Sequence, residues 1–181
     1  MTDAAETFRA WTAQWASSVA VVIAGTGEEM RAATITSFIP VSFEPPLVAV
    51  FLNRSSRMND LLRNTGRWTV SLLEVEQYRL ARHFAHPARL TGSAELEQIG
   101  VIDVVEGPPA LANAAAWLSC VRESILEIGD HTAFVGRTIR HERAPEARPL
   151  LAWRGIFHRL GEVAAPSSWT ALAADDLNAD W

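Results

Sequence analysis

ATITSFIPVSFEPPLVAVFLNRSSR, residues 33–57, joins a hydroxyl-rich segment, a Pro-Pro corner and an apolar run that ends in a polar turn. The run 47–52 is continuous, apolar and partly β-branched, which predicts a buried strand. The prolines at 45–46 lack backbone donors and predict a corner between two strands. Residues two apart in a strand share a face, so Thr34 and Thr36 are predicted to point the same way.

Outside this stretch the pattern also favours strands over helices. Strands are predicted at 19–24, 68–73, 111–124, 131–140 and 150–160, helices at 4–15, 56–63 and 76–84, and irregular chain at 93–107. Phe8, Trp11 and Trp15 recur at helical spacing, and large rings at that spacing are typical of core. Nothing repeats as a β-α-β unit, so the sequence predicts a mainly β fold, a closed antiparallel β-barrel with flanking helices.

Composition limits the classes of function. The 181 residues predict one domain over 1–165 and an unpatterned C-terminal tail over 166–181. A net charge of −5 argues against nucleic acid. No apolar run approaches the ~20 residues of a membrane span, and the acidic start MTDAAETFRA lacks a signal-peptide pattern, so a cytoplasmic location is expected. The single Cys120 lies in a strand pattern, which predicts an inert buried thiol.

The polar turn, residues 53–57, is predicted to bind an anion. Ser55 or Ser56 can cap the following helix, whose first amides lack partners and favour a negative group. Arg54 and Arg57 would then supply most of the charge match to a phosphate. From the residues alone, a plain serine cap with two solvated arginines is the alternative.

Six more segments, in a fixed order along the chain, are informative. They are FRAWTAQWASSVAVV at 8–22, MNDLLRNTGRWTVSLL at 58–73, QYRLARHFA at 77–85, AAAWLSC at 114–120, GDHTAFVG at 129–136 and RPLLAWRGIFHRL at 148–160. With the opening stretch, their order and spacing resemble the flavin reductase family. Its members are FMN-binding split barrels of antiparallel Greek-key type, and they supply reduced flavin to two-component monooxygenases.

The resemblance implies a flavin site. The segment 34–37 would line the flavin ring, and 51–58 would wrap its phosphate and ribityl end. Further contacts to the flavin tail would follow the second helix. The implied cofactor-binding residues are Thr34, Ile35, Thr36, Ser37, Phe51, Leu52, Asn53, Arg54, Ser55, Ser56, Arg57, Met58, Ala85 and Arg89.

The same resemblance implies a nicotinamide site at Asp130, His131 and Phe157. His131 is the candidate catalytic residue, and it would orient and polarise the nicotinamide more than titrate, because hydride transfer needs no acid or base in its first step. From the residues alone, His131 at a strand entrance is more often structural. For Phe157, contact with the nicotinamide and packing in the core are two alternatives that the sequence favours equally.

The function implied is an NAD(P)H-dependent flavin reductase, an NAD(P)H:flavin oxidoreductase that works as a homodimer beside a partner monooxygenase. The short segment after Arg89 favours FMN over FAD, and the lack of a basic cluster favours NADH over NADPH. No metal is expected, because His83 and His86 lack a third ligand. The alternative is a flavin-binding carrier or sensor without reductase turnover, or an FMN-dependent oxidoreductase acting on an organic substrate.

Overall fold

The computed structural model describes residues 3–86 and 92–161, so the predicted tail at 166–181 lies outside the described residues. The helices are α1 (Ala4–Thr12), α2 (Arg57–Asn64), α3 (Tyr78–Ala85) and α4 (Ser93–Ile99). The strands are β1 (Ser17–Ser18), β2 (Ala20–Ala24), β3 (Arg31–Ile35), β4 (Phe38–Phe43), β5 (Pro46–Asn53), β6 (Arg67–Leu72), β7 (Val101–Ile102), β8 (Ala110–Leu111), β9 (Ala116–Ile128), β10 (His131–Arg143), β11 (Leu151–Trp153) and β12 (Ile156–His158).

Seven strands form the main sheet in the order β3-β2-β6-β9-β10-β5-β4, and every neighbouring pair is antiparallel. The Pro-Pro corner turns β4 into β5, as predicted, with a cis bond between Glu44 and Pro45. After β5 the chain passes through α2 and crosses the sheet to place β6 beside β2. Within the described residues the end strands β3 and β4 do not pair with each other. The mainly β prediction is therefore confirmed, and the barrel is split between these two strands.

β2 lies between two apolar cores, and all five of its residues are therefore buried. Val22 faces a cluster inside the barrel that includes Trp68 and Phe134. Val21 faces a second cluster that includes Phe84 of α3 and Leu96 of α4. A strand covered on both faces needs an uninterrupted apolar run, which AVVIA supplies.

The prediction that the aromatic residues of the first helix belong to the core is wrong. Helix α1 forms, but none of its residues is buried. Phe8 and Trp11 are 65% exposed and Trp15 is 73% exposed. Periodicity predicts an apolar face correctly here, but it does not say whether the same chain covers that face.

Two other element predictions are also wrong. The segment 93–107, predicted to be irregular, contains α4, whose Leu96 enters the second core cluster. The segment 150–160 is not one long strand, because it reverses between β11 and β12 at Arg154 and Gly155, which have φ values of 51° and 74°. No described helix has the length and apolar character needed to cross a bilayer.

Candidate functional site

A cavity of about 500 Å³ opens where the ends of β3 and β5 meet the start of α2 and the end of α3. It is lined by Ala33, Thr34, Ile35, Thr36, Ser37, Phe51, Leu52, Asn53, Ser56, Arg57, Met58 and Ala85. The structure thus brings together all of the predicted cofactor-binding residues except Arg54, Ser55 and Arg89. Arg89 lies outside the described residues. Ala33 is the one lining residue that the sequence missed, since its methyl group carries no chemical signal.

Hydroxyl groups lie on the β3 side of the cavity. Thr34 Oγ1 donates to the carbonyl of Ala81 in α3 at 2.8 Å, and Ser37 Oγ donates to the carbonyl of Phe51 at 2.6 Å. Both oxygens keep capacity to accept a hydrogen bond. Because β3 ends at Ile35, Thr36 lies in a bend beyond the strand, and the shared strand face predicted for Thr34 and Thr36 does not apply there.

The start of α2 forms the opposite side. Ser56 is the N-cap, as predicted, and its Oγ accepts from the amide of Asn59 at 3.1 Å. Among the described residues nothing accepts a hydrogen bond from the amides of Arg57 and Met58, and Arg57 forms no ion pair. Two unpaired amides, the positive end of a helix and a guanidinium group make a local site for an anion.

Two members of the polar turn do not line the cavity. The Arg54 guanidinium pairs with Glu127 Oε2 at 3.1 Å and approaches the carbonyl of Gly129 at 3.5 Å. Ser55 Oγ donates to Asn53 Oδ1 at 2.7 Å, so it stabilises the turn itself. Contact of Arg54 and Ser55 with a phosphate stays a prediction.

The His131 turn, residues 129–131, lies directly beside the polar turn. His131 and Asn53 are partners in the β10–β5 ladder, and the Arg54 amide donates to the Asp130 carbonyl at 3.0 Å. The sequence predicted both turns, but their adjacency follows from strand pairing between distant segments.

Within the His131 turn, Nδ1 of His131 lies 2.7 Å from Asp130 Oδ1. The hydrogen bond and then the charge of His131 hold the pKa of Asp130 below its usual range, with a smaller contribution from Arg9 of α1. The Asp130 carboxylate accepts from Nδ1–H, which orients the ring and leaves Nε2 for contact with a ligand. The half-exposed imidazole is therefore oriented and available beside the cavity.

Phe157 and the histidines of α3 have other surroundings. Phe157 does not line the cavity and packs against the second core cluster, beside residues such as Leu150. Its contact with a nicotinamide stays a prediction. His83 pairs with Glu95 of α4 at 2.6 Å. In the described residues no group of three or more His, Cys, Asp or Glu side chains could hold a metal ion.

Comparison with known proteins identifies the family. Residues 12–161 match the flavin reductase like domain. The chain belongs to the flavin reductase family. Among similar proteins, an NADH-dependent FAD reductase of Streptomyces globisporus is 36% identical over 149 residues, which cover 82% of this chain and 81% of that protein. The reductase component of the 4-hydroxyphenylacetate 3-monooxygenase of Thermus thermophilus is 34% identical over 155 residues, 86% and 96% of the two chains.

Solved structures of flavin reductases share the fold. The flavin reductase component of a bacterial two-component tryptophan halogenase superposes with a TM-score of 0.82 at 29% identity, covering 88% of this chain and 99% of that one. The NADH:FAD oxidoreductase of Streptomyces globisporus in complex with NAD and FAD fragments also gives 0.82, at 31% identity, covering 91% and 99%. The split-barrel prediction is confirmed.

Proposed function

We propose that this flavin reductase family member passes a hydride from NADH to a free flavin, FMN or FAD, and supplies the reduced flavin to a partner monooxygenase. The proposal rests on one observation above all, the cavity whose anion-binding turn is joined to the His131 turn by the β5–β10 ladder. The relatives named as NADH-dependent reductases of FAD and of FMN support it.

The residues present fit a flavin. A cavity of about 500 Å³ with hydroxyls on one side and free amides on the other suits a flat polar ring with a phosphate tail. Thr34 and Ser37 would contact the ring, and Arg57 with the first amides of α2 would hold the phosphate. Bound flavin would supply the hydride acceptor. The protein supplies alignment, with His131 Nε2 oriented by Asp130 for contact with the nicotinamide.

The partner and the setting of the reaction belong to the same proposal. Two relatives, in Thermus thermophilus and Rhodococcus jostii, are named as reductase components or subunits of monooxygenases. A partner oxygenase for this chain is therefore a natural expectation. NADH as the donor follows the names of the relatives, and NADPH stays the alternative. The cytoplasmic location remains a prediction.

We also propose a homodimer, because the chain exposes two apolar surfaces that suit each other. One, called here the aromatic face of α1, consists of Phe8 and Trp11 in the helix and Trp15 just beyond its end, and the ring centroids of Phe8 and Trp11 stack at 6.3 Å. The other is an apolar groove of about 570 Å³, to which Phe38, Phe43, Leu47, Val70, Leu72 and Trp117 contribute. In a two-fold dimer, a contact between the aromatic face of one copy and the groove of its partner is made twice.

The exposed apolar area of the two surfaces is also sufficient for a stable dimer interface. Large aromatic side chains bury about 150–250 Å² each, so three that are about two-thirds exposed in each of two copies offer roughly 600–1,000 Å². A stable interface needs at least about 1,200 Å² in total, and the walls of the apolar groove would supply the remainder.

The deciding experiment follows the absorbance of NADH with purified protein while FMN, and separately FAD, is added. We expect NADH oxidation to rise with flavin and to saturate. His131→Ala should raise the KM for NADH by at least about tenfold and leave the KM for flavin within about twofold. Arg140→Ala, an exposed change on the same strand, is the matched control. Flavin binding without NADH consumption would replace this proposal with the carrier or organic-substrate alternative.

A further inference from the structure

Glu127 is a carboxylate shared between two arginines at the edge of the candidate site. Its Oε2 lies 3.1 Å from Arg54 Nη2, and its Oε1 lies 2.5 Å from Arg63 Nη2. Arg54 belongs to the polar turn, whereas Arg63 lies in the last turn of α2. The carboxylate therefore lies at the junction of the polar turn, α2 and the end of β9.

The position of Glu127 is set by buried groups. Arg63 also donates to Asn59 Oδ1 at 2.9 Å and to Thr132 Oγ1 at 3.0 Å, and both Asn59 and Thr132 are buried. An isolated exposed ion pair contributes little, but a network anchored by buried partners loses less side-chain entropy for each contact. Arg63 thus holds the Glu127 carboxylate in a fixed position, where it pairs with Arg54.

Arg54 would otherwise be a second cation for the flavin phosphate. It is separated from Arg57 by only two residues of the polar turn, and a phosphate readily binds two guanidinium groups. In the structure Arg57 lines the cavity, but Arg54 is turned to Glu127 and to the carbonyl of Gly129.

We propose that Glu127 sets the affinity of the site for flavin by holding Arg54 away from the flavin phosphate. Arg57 and the first amides of α2 are then the groups that contact the phosphate. The phosphate is then bound by one guanidinium group instead of two. This weaker binding suits a protein that must release its reduced product. This inference rests on the proposed function, because it assumes that the cavity binds flavin.

The test compares FMN with riboflavin, which has the same ring but no phosphate, by titrating flavin fluorescence with the purified protein. Glu127→Gln removes the charge that holds Arg54 and should tighten FMN about threefold to fivefold, with riboflavin unchanged. The gain should disappear in the double variant Glu127→Gln with Arg54→Gln. Arg57→Gln should weaken FMN about tenfold or more and leave riboflavin unchanged.

Glu123→Gln is the matched control. Glu123 lies on the same strand and pairs with Arg137 at 3.4 Å. The exposed fractions of that pair are 48% and 52%, close to the 47% and 54% of Glu127 and Arg54. We expect no change in the affinity for either flavin.

Two results would overturn the proposal. If Arg54→Gln alone weakens FMN relative to riboflavin, Arg54 already contacts the phosphate. If Glu127→Gln leaves FMN unchanged, or shifts FMN and riboflavin equally, Glu127 does not act through the phosphate. The proposed function fails separately, when the unaltered protein binds neither flavin or oxidises no NADH with them.

Discussion

At the scale of single residues, Cys120 shows how burial removes reactivity. It is the only cysteine of the chain, and it is completely buried in the core cluster inside the barrel. Desolvation of the thiolate raises the pKa of this thiol to about 12, against a partial opposing effect of a hydrogen bond with Thr138. The sequence-based expectation that this thiol is buried is confirmed, and its lack of reactivity stays a prediction.

We therefore expect Cys120 to resist alkylation by iodoacetamide at pH 8 in the folded protein and to react after unfolding in urea. The thiolate is the reactive form, and at pH 8 only about one thiol in ten thousand would be ionised at this pKa. Because the folded-state pKa is raised, this group contributes stability below about pH 9 that is lost as the pH rises towards 12. Mass spectrometry detects the modification. Rapid labelling of the native protein would contradict the prediction.

At the scale of elements, β10 carries both chemistry and packing in one motif. The motif GDHTAFVG places Asp130 and His131 at the site, just before and at the start of β10, and ends at Gly136, which is buried in the sheet. A Cβ at Gly136 would lie 2.5 Å from Cζ2 of Trp68 and 2.8 Å from Cβ of Cys120. The glycine allows the buried indole ring of β6 to pack directly against the backbone of β10.

Gly136→Ala should lower the free energy of unfolding by about 1–3 kcal/mol, because the added methyl group overpacks a core formed by three strands. Urea denaturation measures the change. Gly161→Ala is the control, since an added Cβ there meets no atom of the described residues within 4 Å. Equal stability of the two variants would show that the strands move apart at little cost.

The sequence predicts well those elements whose secondary structure is determined by their own residues. The buried strand β5, the Pro-Pro corner and the Ser56 cap of α2 each follow from local chemistry. Helix α4 escapes prediction because it is short and buries a single leucine among its described residues. The reversal at 154–155 escapes because its first left-handed residue is an arginine, which carries no turn signal.

The candidate site shows the same division. The residues that line the cavity follow from the hydroxyl-rich segment, the polar turn and the family resemblance. The orientation of Arg54 could not be predicted, because it depends on Glu127, which lies far along the chain and meets the polar turn only through strand pairing.

At the scale of the whole molecule, the aromatic face of α1 stays exposed, because the described part of the same chain does not cover it. The segment after α1 is held in place, since the Arg154 amide donates to the Ala13 carbonyl and the Arg154 side chain donates to Gln14. A partner that covers α1 would therefore also lie close to the turn between β11 and β12.

Trp11→Glu should convert the proposed dimer into a monomer of 19.9 kDa, because it replaces a large apolar ring with a carboxylate that loses its hydration when an interface covers it. Size-exclusion chromatography with light scattering measures the mass. Ala10→Glu is the matched control, since it adds the same charge to the same helix outside the aromatic face and should leave the dimer intact. A monomeric unaltered protein would exclude the homodimer.

The pairing of β5 with β10 also determines when the site can exist. Arg54 and Gly129 touch although they are 75 residues apart along the chain. Contacts between such distant segments close late and slowly, because the entropy of a long loop is lost before any contact forms. A chain still emerging from the ribosome would carry the polar turn long before β10 is made. Flavin therefore cannot guide the early steps of folding, and its binding would report that the β5–β10 ladder has closed.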